Sequence, residues 1–233
     1  MSQHPSVPTT REPLVPTGLQ AVLFDMDGTL VDTERLWLRT VEEEARGLGL
    51  DLTEADRASV LGRAIGVCAE HLAGRAPGLT DPARIGASLE RRFTARVRGR
   101  VEPLPGAVEL LSAIRAAGVP TALVSASPRT VVDTVLDVLG RDRFTTSVAE
   151  GETPRTKPFP DPYRAALTAL GADPARCVAV EDTPTGVASA EAAGCAVLAV
   201  PSYTAIAPAP RRTIARGLLD VDLALLRGLV AAP

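Results

Sequence analysis

Lysine, histidine, cysteine and aromatic side chains are scarce in this sequence, and each scarcity excludes something. Of 25 Lys and Arg residues only Lys157 is a lysine, and Phe, Trp and Tyr together make up 3% of the chain. Twenty-five cations against 28 Asp and Glu give a net charge of −3, so no basic face for nucleic acid is indicated. Three scattered cysteines, Cys68, Cys177 and Cys195, form neither a disulfide framework nor a CxxC metal motif, and they read as small buried apolar groups in a reducing compartment. His4 and His71 read as surface residues, which leaves no zinc set and no histidine acid–base pair. No apolar run approaches the ~18–20 residues of a membrane-crossing helix. The start, MSQHPSVPTTREPLVP, lacks the apolar stretch of a secretory signal. The expectation is a cytoplasmic monomer with no membrane or nucleic-acid partner.

What is present is enough apolar material for a core, at 45% of residues, arranged in a clear rhythm. Residues 1–17 are polar and proline-rich and read as a disordered tail. Short continuous apolar runs follow at Ala21–Phe24, Val119–Val124, Cys177–Val180 and Cys195–Val200, the pattern of strands buried on both faces. Helical spacing lies between them at Val108/Leu111/Ile114, Val131/Val135/Leu139 and Ala166/Leu170, with Gly118 and Gly140 placed to stop helices. Alternating strands and helices predict an α/β fold with a doubly wound parallel sheet. The block 34–100 breaks the rhythm. Trp37, Val41, Ala45 and Leu48 form one helical stripe, more helix follows with breaks near Gly62 and Ala76-Pro77-Gly78, and no strand run intervenes. It reads as a helical insertion (34–100) in a core made of 18–33 and 101–233.

Ligands of an open α/β sheet bind beyond the carboxyl ends of its strands. There the chain places Asp25 and Asp27 (DMDGTLVD), Ser125, and Glu181-Asp182, with Lys157 in the loop TPRTKPFPDP. Each has a plainer reading: Asp182 and Ser125 suit helix caps, and Asp27-Gly28 suits a turn. Together they are too polar for packing. Four carboxylates in one place bind a cation or protonate, and an all-oxygen set suits Mg²⁺. With metal and lysine holding a phosphoryl group, one aspartate can attack phosphorus while another protonates the leaving oxygen.

These residues resemble the motifs of the haloacid dehalogenase (HAD) superfamily. Asp25-Met26-Asp27-Gly28-Thr29-Leu30-Val31-Asp32 is similar to its first motif, Val124-Ser125 to the second and Lys157-Pro158 to the third. Glu181-Asp182-Thr183-Pro184-Thr185-Gly186 is similar to the fourth. The helical block resembles the C1 cap of the β-phosphoglucomutase-like subgroup, on a Rossmann-like core. The resemblance implies that Asp25 is the nucleophile and Asp27 the general acid and base. It also implies that Ser125 and Lys157 bind the phosphoryl group, and that Asp25, Asp27 (through its carbonyl), Glu181 and Asp182 hold Mg²⁺. Residues 28–32 would form the flap that moves with the cap.

The resemblance also separates variants. No lysine lies between 34 and 100, which excludes the Schiff-base phosphonatases, and Asp32–Leu38 lacks the histidine of the mutases. A phosphatase acting on a small phosphorylated metabolite, a sugar or polyol phosphate, is therefore expected over a hexose-phosphate mutase or a non-catalytic sensor. Substrate contacts are expected at Gly62 and Arg63 of the insertion and at Ala126, Ser127 and Arg129. Glu34 and Trp37 stand at the entrance, with Trp37 also fitting the core stripe.

Overall fold

A computed structural model describes residues 18–78 and 81–231; the expected tail, 1–17, lies outside the described residues. Six parallel strands form one sheet: β1 (Ala21–Phe24), β2 (Thr121–Val124), β3 (Thr146–Val148), β4 (Cys177–Glu181), β5 (Ala196–Ala199) and β6 (Arg212–Ile214), in the order β3-β2-β1-β4-β5-β6. Every residue of β1, β2, β4 and β5 is buried, which is why they read as unbroken apolar runs. The edge strands β3 (TSV) and β6 (RTI) are three residues long and partly exposed, so neither has an apolar run to betray it.

Between β1 and β2 stand α1 (Glu34–Gly47), α2 (Glu54–Val60), α3 (Ile65–Arg75), α4 (Pro82–Val97) and α5 (Ala107–Ala116). Then come α6 (Arg129–Leu139), α7 (Asp161–Leu170), α8 (Pro184–Ala193) and α9 (Leu223–Ala231). The helix boundaries have local causes. Thr53 and Asp56 make a reciprocal capping box at α2, and Asp81 caps α4 just before Pro82.

Alternation along the strands sorts side chains onto two faces. Ala21, Leu23, Ala122, Val124, Cys177 and Ala179 join Tyr163 and Val187 on one face. Val22, Phe24, Leu123, Val178 and Val180 face the other way, in a cluster continuous with Val41, Leu72, Ile85, Leu89 and Phe93 of α1, α3 and α4. Burying each of these five contributes roughly 1.5–3 kcal/mol, which makes α1, α3 and α4 one packed body. All three cysteines are buried and unpaired, as expected. His71 is not the plain surface residue the sequence suggested: it is half-buried, with Nε2 2.8 Å from Asp56 Oδ1, and it braces α3 against α2.

Candidate active site

Strand order reverses at β1: the chain runs outward through β2 and β3, then returns to lay β4 on the other side of β1. That is the switch point where the ends of adjacent strands open a crevice. Register does the rest. Phe24 pairs with both Leu123 and Val180, so Asp25, Val124 and Glu181 follow at one level.

Lys157 spans that level. Its Nζ donates to Asp25 Oδ1 (2.7 Å), Glu181 Oε1 (2.7 Å) and the Val124 carbonyl (2.9 Å), with the side chain 5% exposed. Burial opposes the ammonium, but Asp25 and Glu181 together hold its pKa above the ordinary lysine value. Glu181 Oε1 also accepts from the Tyr163 hydroxyl at 2.7 Å. Burial raises the pKa of both Glu181 and Asp182, and the neighbouring carboxylates add to it.

Asp27 faces a different set. Ser125 and Ser127 donate to its Oδ2 at 3.0 and 2.8 Å, and Thr33 donates to Oδ1. Burial and the nearby Asp25 raise the Asp27 pKa against those hydrogen bonds. A carboxyl so placed holds a proton more readily than an exposed one.

Asp182 does not cap α8; Thr183 does, accepting from the Gly186 amide at 3.1 Å. Asp182 instead receives Thr29 Oγ1 at 3.3 Å and the Ser202 hydroxyl. Ser125 does not cap α6, which begins after Pro128 with no side-chain cap; its hydroxyl accepts from the Ser127 amide at 2.9 Å and donates to Asp27, a contact the sequence did not suggest. Gly186 is required for another reason: a Cβ there would lie 2.0 Å from the Glu181 carboxyl group.

Oxygens of Asp25, Glu181 and Asp182 lie within 4.8 Å of one another. Asp25 Oδ2 and Glu181 Oε2 are buried without a hydrogen-bond partner, a costly state that a cation relieves. Three carboxylates around one ammonium leave an excess of two negative charges when ionised, the charge of one divalent ion. The donor set is all oxygen and suits a hard cation. The Asp27 carboxylate lies outside this group and is taken up by the two serines and Thr33.

A narrow cavity of about 40 Å³ opens over these groups. Its walls bring together Asp25, Asp27, Lys157 and Asp182 with Gly62, Arg63, Ala126 and Ser127, and with Glu34, Trp37, Ile65 and Phe93 of the helical segment. Trp37 serves both purposes: it donates to the Val60 carbonyl (2.9 Å), packs edge-on against Phe93 (5.1 Å between ring centres) and lines the cavity. Arg129 points elsewhere, pairing with Glu152 and Ser147, and is not among the cavity walls. Tyr163, Thr33 and Ser202 were missed from the sequence. Tyr163 lies on the buried face of α7 and looks like core, and Ser202 lies in an irregular proline-rich loop with no periodicity to read.

Glu34 is the other buried acid here. Its Oε1 accepts the Gly62 amide at 3.1 Å and its Oε2 has no partner. Burial, reinforced by Asp27, pushes its pKa up to about 8. A carboxyl raised from about 4.5 binds a proton in the folded state that the unfolded chain releases, so its stabilising effect is full below pH 4.5 and lost as pH rises through 8. Glu34→Gln is expected to show a stability advantage over wild type that widens between those values and is level outside them. Denaturant titrations of the metal-free proteins across pH 4–9 check this, and a constant difference would contradict it.

The fold and the site define a phosphohydrolase of the HAD class. The chain belongs to the haloacid dehalogenase-like hydrolases, whose family model matches residues 19–194, and with its phosphatase relatives it is a phosphatase. It is 32% identical over 222 residues to hexitol phosphatase B of Escherichia coli K12, covering 93% of this chain and 96% of the relative. It is 36% identical over 200 residues to protein CbbY of Rhodobacter capsulatus, covering 80% and 87%. Among solved structures, CbbY of Rhodobacter sphaeroides in complex with xylulose-(1,5)bisphosphate superposes with a TM-score of 0.76 at 26% identity, covering 89% of this chain and 99% of that one. Among the described residues no helix is long and apolar enough to cross a membrane.

Proposed function

We propose that the protein is a Mg²⁺-dependent phosphatase that hydrolyses a sugar or polyol monophosphate through an aspartyl-phosphate. The observation that carries the reading is the division of labour between two aspartates two residues apart: Asp25 against Lys157, Asp27 among hydroxyls.

The Asp25 carboxylate attacks phosphorus and the bond from phosphorus to the ester oxygen breaks. Asp27 gives its proton to that leaving oxygen, which its raised pKa equips it to do. Asp27, now a carboxylate steadied by Ser125, Ser127 and Thr33, takes a proton from water. The water oxygen attacks phosphorus, phosphate leaves and Asp25 is restored. Lys157 balances charge on the phosphoryl oxygens throughout, and the Ser125 hydroxyl donates to them while Asp27 holds its proton. Asp25, Glu181 and Asp182, with the Asp27 carbonyl, would hold Mg²⁺, which when bound neutralises phosphoryl charge.

The segment 34–100 acts as a cap over a core of 18–33 and 101–233. Gly62 marks where the two meet: at φ +62°, a Cβ on it would lie 2.8 Å from Thr183 Cγ2. Residues 28–32 carry the movement that admits substrate and then excludes water. The hexitol phosphatase relative and the CbbY structure in complex with xylulose-(1,5)bisphosphate support a polyhydroxylated substrate.

The test is phosphate release from hexitol, pentose, hexose and glycerol phosphates, with Mg²⁺ and with chelator, and with β-glucose 1-phosphate followed for isomerisation. Metal-dependent release is expected, with chelator lowering it by roughly a hundredfold or more. Isomerisation without release would replace the phosphatase by a mutase, and tight binding without turnover would replace it by a sensor.

A further inference from the structure

Beside Glu34, Arg63, Ser127 and Thr183, the cavity over Asp25 has an apolar side, Trp37, Ile65 and Phe93, which offers a polyol chain few hydrogen bonds. Hydroxyls buried there without partners would weaken binding. A second cavity, about 160 Å³, lies beside it and shares four of its walls: Glu34, Gly62, Arg63 and Thr183. Beyond those walls it is edged by Ala58, Leu61 and Pro184 and by four hydroxyl side chains, Thr185, Ser202, Tyr203 and Thr204. The last three belong to the loop between β5 and β6, where the Ser202 hydroxyl is committed to Asp182 while Tyr203 and Thr204 have no part in the phosphoryl chemistry.

We infer that this second cavity is the subsite for the far end of a linear polyol phosphate and that Tyr203 and Thr204 are specificity-determining residues. The inference rests on the phosphatase reading and deepens it. With the phosphoryl group anchored between Asp25 and Lys157, a six-carbon chain outgrows the smaller cavity and passes the Glu34–Gly62–Arg63 rim. Its terminal hydroxyls then meet the hydroxyls of the loop. Tyr203 is 56% exposed, so its ring is free to lie along the carbon chain while its phenol exchanges hydrogen bonds. A three-carbon ester ends before this loop. Discrimination by chain length thus comes from the core loop as well as from the cap.

Tyr203→Ala and Thr204→Val alter exposed loop positions, and the chain is expected to fold normally with either, as circular dichroism and melting would show. The measurement is the ratio of kcat/KM for sorbitol 6-phosphate to that for glycerol 3-phosphate. Wild type is expected to prefer the hexitol ester, and Tyr203→Ala to lower the ratio roughly tenfold, the worth of a hydrogen bond and its packing. Thr204→Val is expected to lower it less. An unchanged ratio in both variants overturns the subsite. So does a wild type that releases phosphate from both esters without preference, although the phosphatase reading then survives. A wild type that releases phosphate from no monoester overturns both.

Discussion

Asp25→Asn is expected to reduce phosphate release by roughly a thousandfold or more, because an amide is a far weaker nucleophile toward phosphorus than a carboxylate. The shape of the site should survive. Asparagine keeps an oxygen for the Lys157 ammonium, which also retains Glu181 Oε1 and the Val124 carbonyl. Removing one of three clustered carboxylates eases their mutual repulsion, so the metal-free variant should melt within a few degrees of wild type. The check joins steady-state release to an acid-quenched intact-mass measurement. Wild type should show a phosphorylated species during turnover and the variant none. Near-normal release by the variant would remove Asp25 from the role of nucleophile.

Lys157→Met has the second large effect, on stability as well as rate. It leaves Asp25 and Glu181, 10% and 0% exposed at their side chains, facing each other without a cation. Breaking a buried ion pair from one side costs about 3–5 kcal/mol, because the remaining charge is stranded. Two features separate this account from a simple packing defect. The loss should shrink as pH falls and the carboxylates protonate, and divalent cation should recover part of it, since either change removes the uncompensated charge. Lys157→Arg keeps the charge but not the fit: a planar guanidinium cannot reach Asp25, Glu181 and the Val124 carbonyl at once as a compact ammonium does. Most activity should be lost with less effect on folding. Denaturant titrations with and without Mg²⁺, set beside phosphate release, distinguish the outcomes. Full activity in the arginine variant would mean that the lone lysine is an accident of composition.

The site was legible where a buried strand ends in a polar residue. Asp25 and Glu181-Asp182 follow apolar runs directly; one carboxylate there suits a helix cap, and it is several together that exceed what capping explains. The helical segment was legible because the 34–100 block has helical stripes and no strand run; its four helices appear with breaks at Gly62 and near Ala76–Gly78, where the spacing put them. Tyr163 was not legible, since one aromatic on the inner face of α7 has the same pattern whether its hydroxyl is idle or bonded to Glu181. Ser202 and Tyr203 lie in a loop whose course no periodicity constrains. The edge strands β3 and β6 stayed hidden because exposure on one side removes the need for an apolar run.

By itself, then, the sequence determined the alternation of buried strands and helices, the inserted helical block, and which residues stand at the strand ends. Burial requires apolar runs, and runs have periods that can be read along one chain. Only the tertiary structure decided which oxygens remain unpaired, which hydroxyls serve Asp27 rather than their own backbone, and that the loop after β5 closes the cavity beside Gly62 and Arg63. Those outcomes depend on strand register and on the approach of segments far apart in the chain, such as Lys157 to Asp25 and Ser202 to Asp182. Their physical cause is the sheet order, which no local spacing encodes.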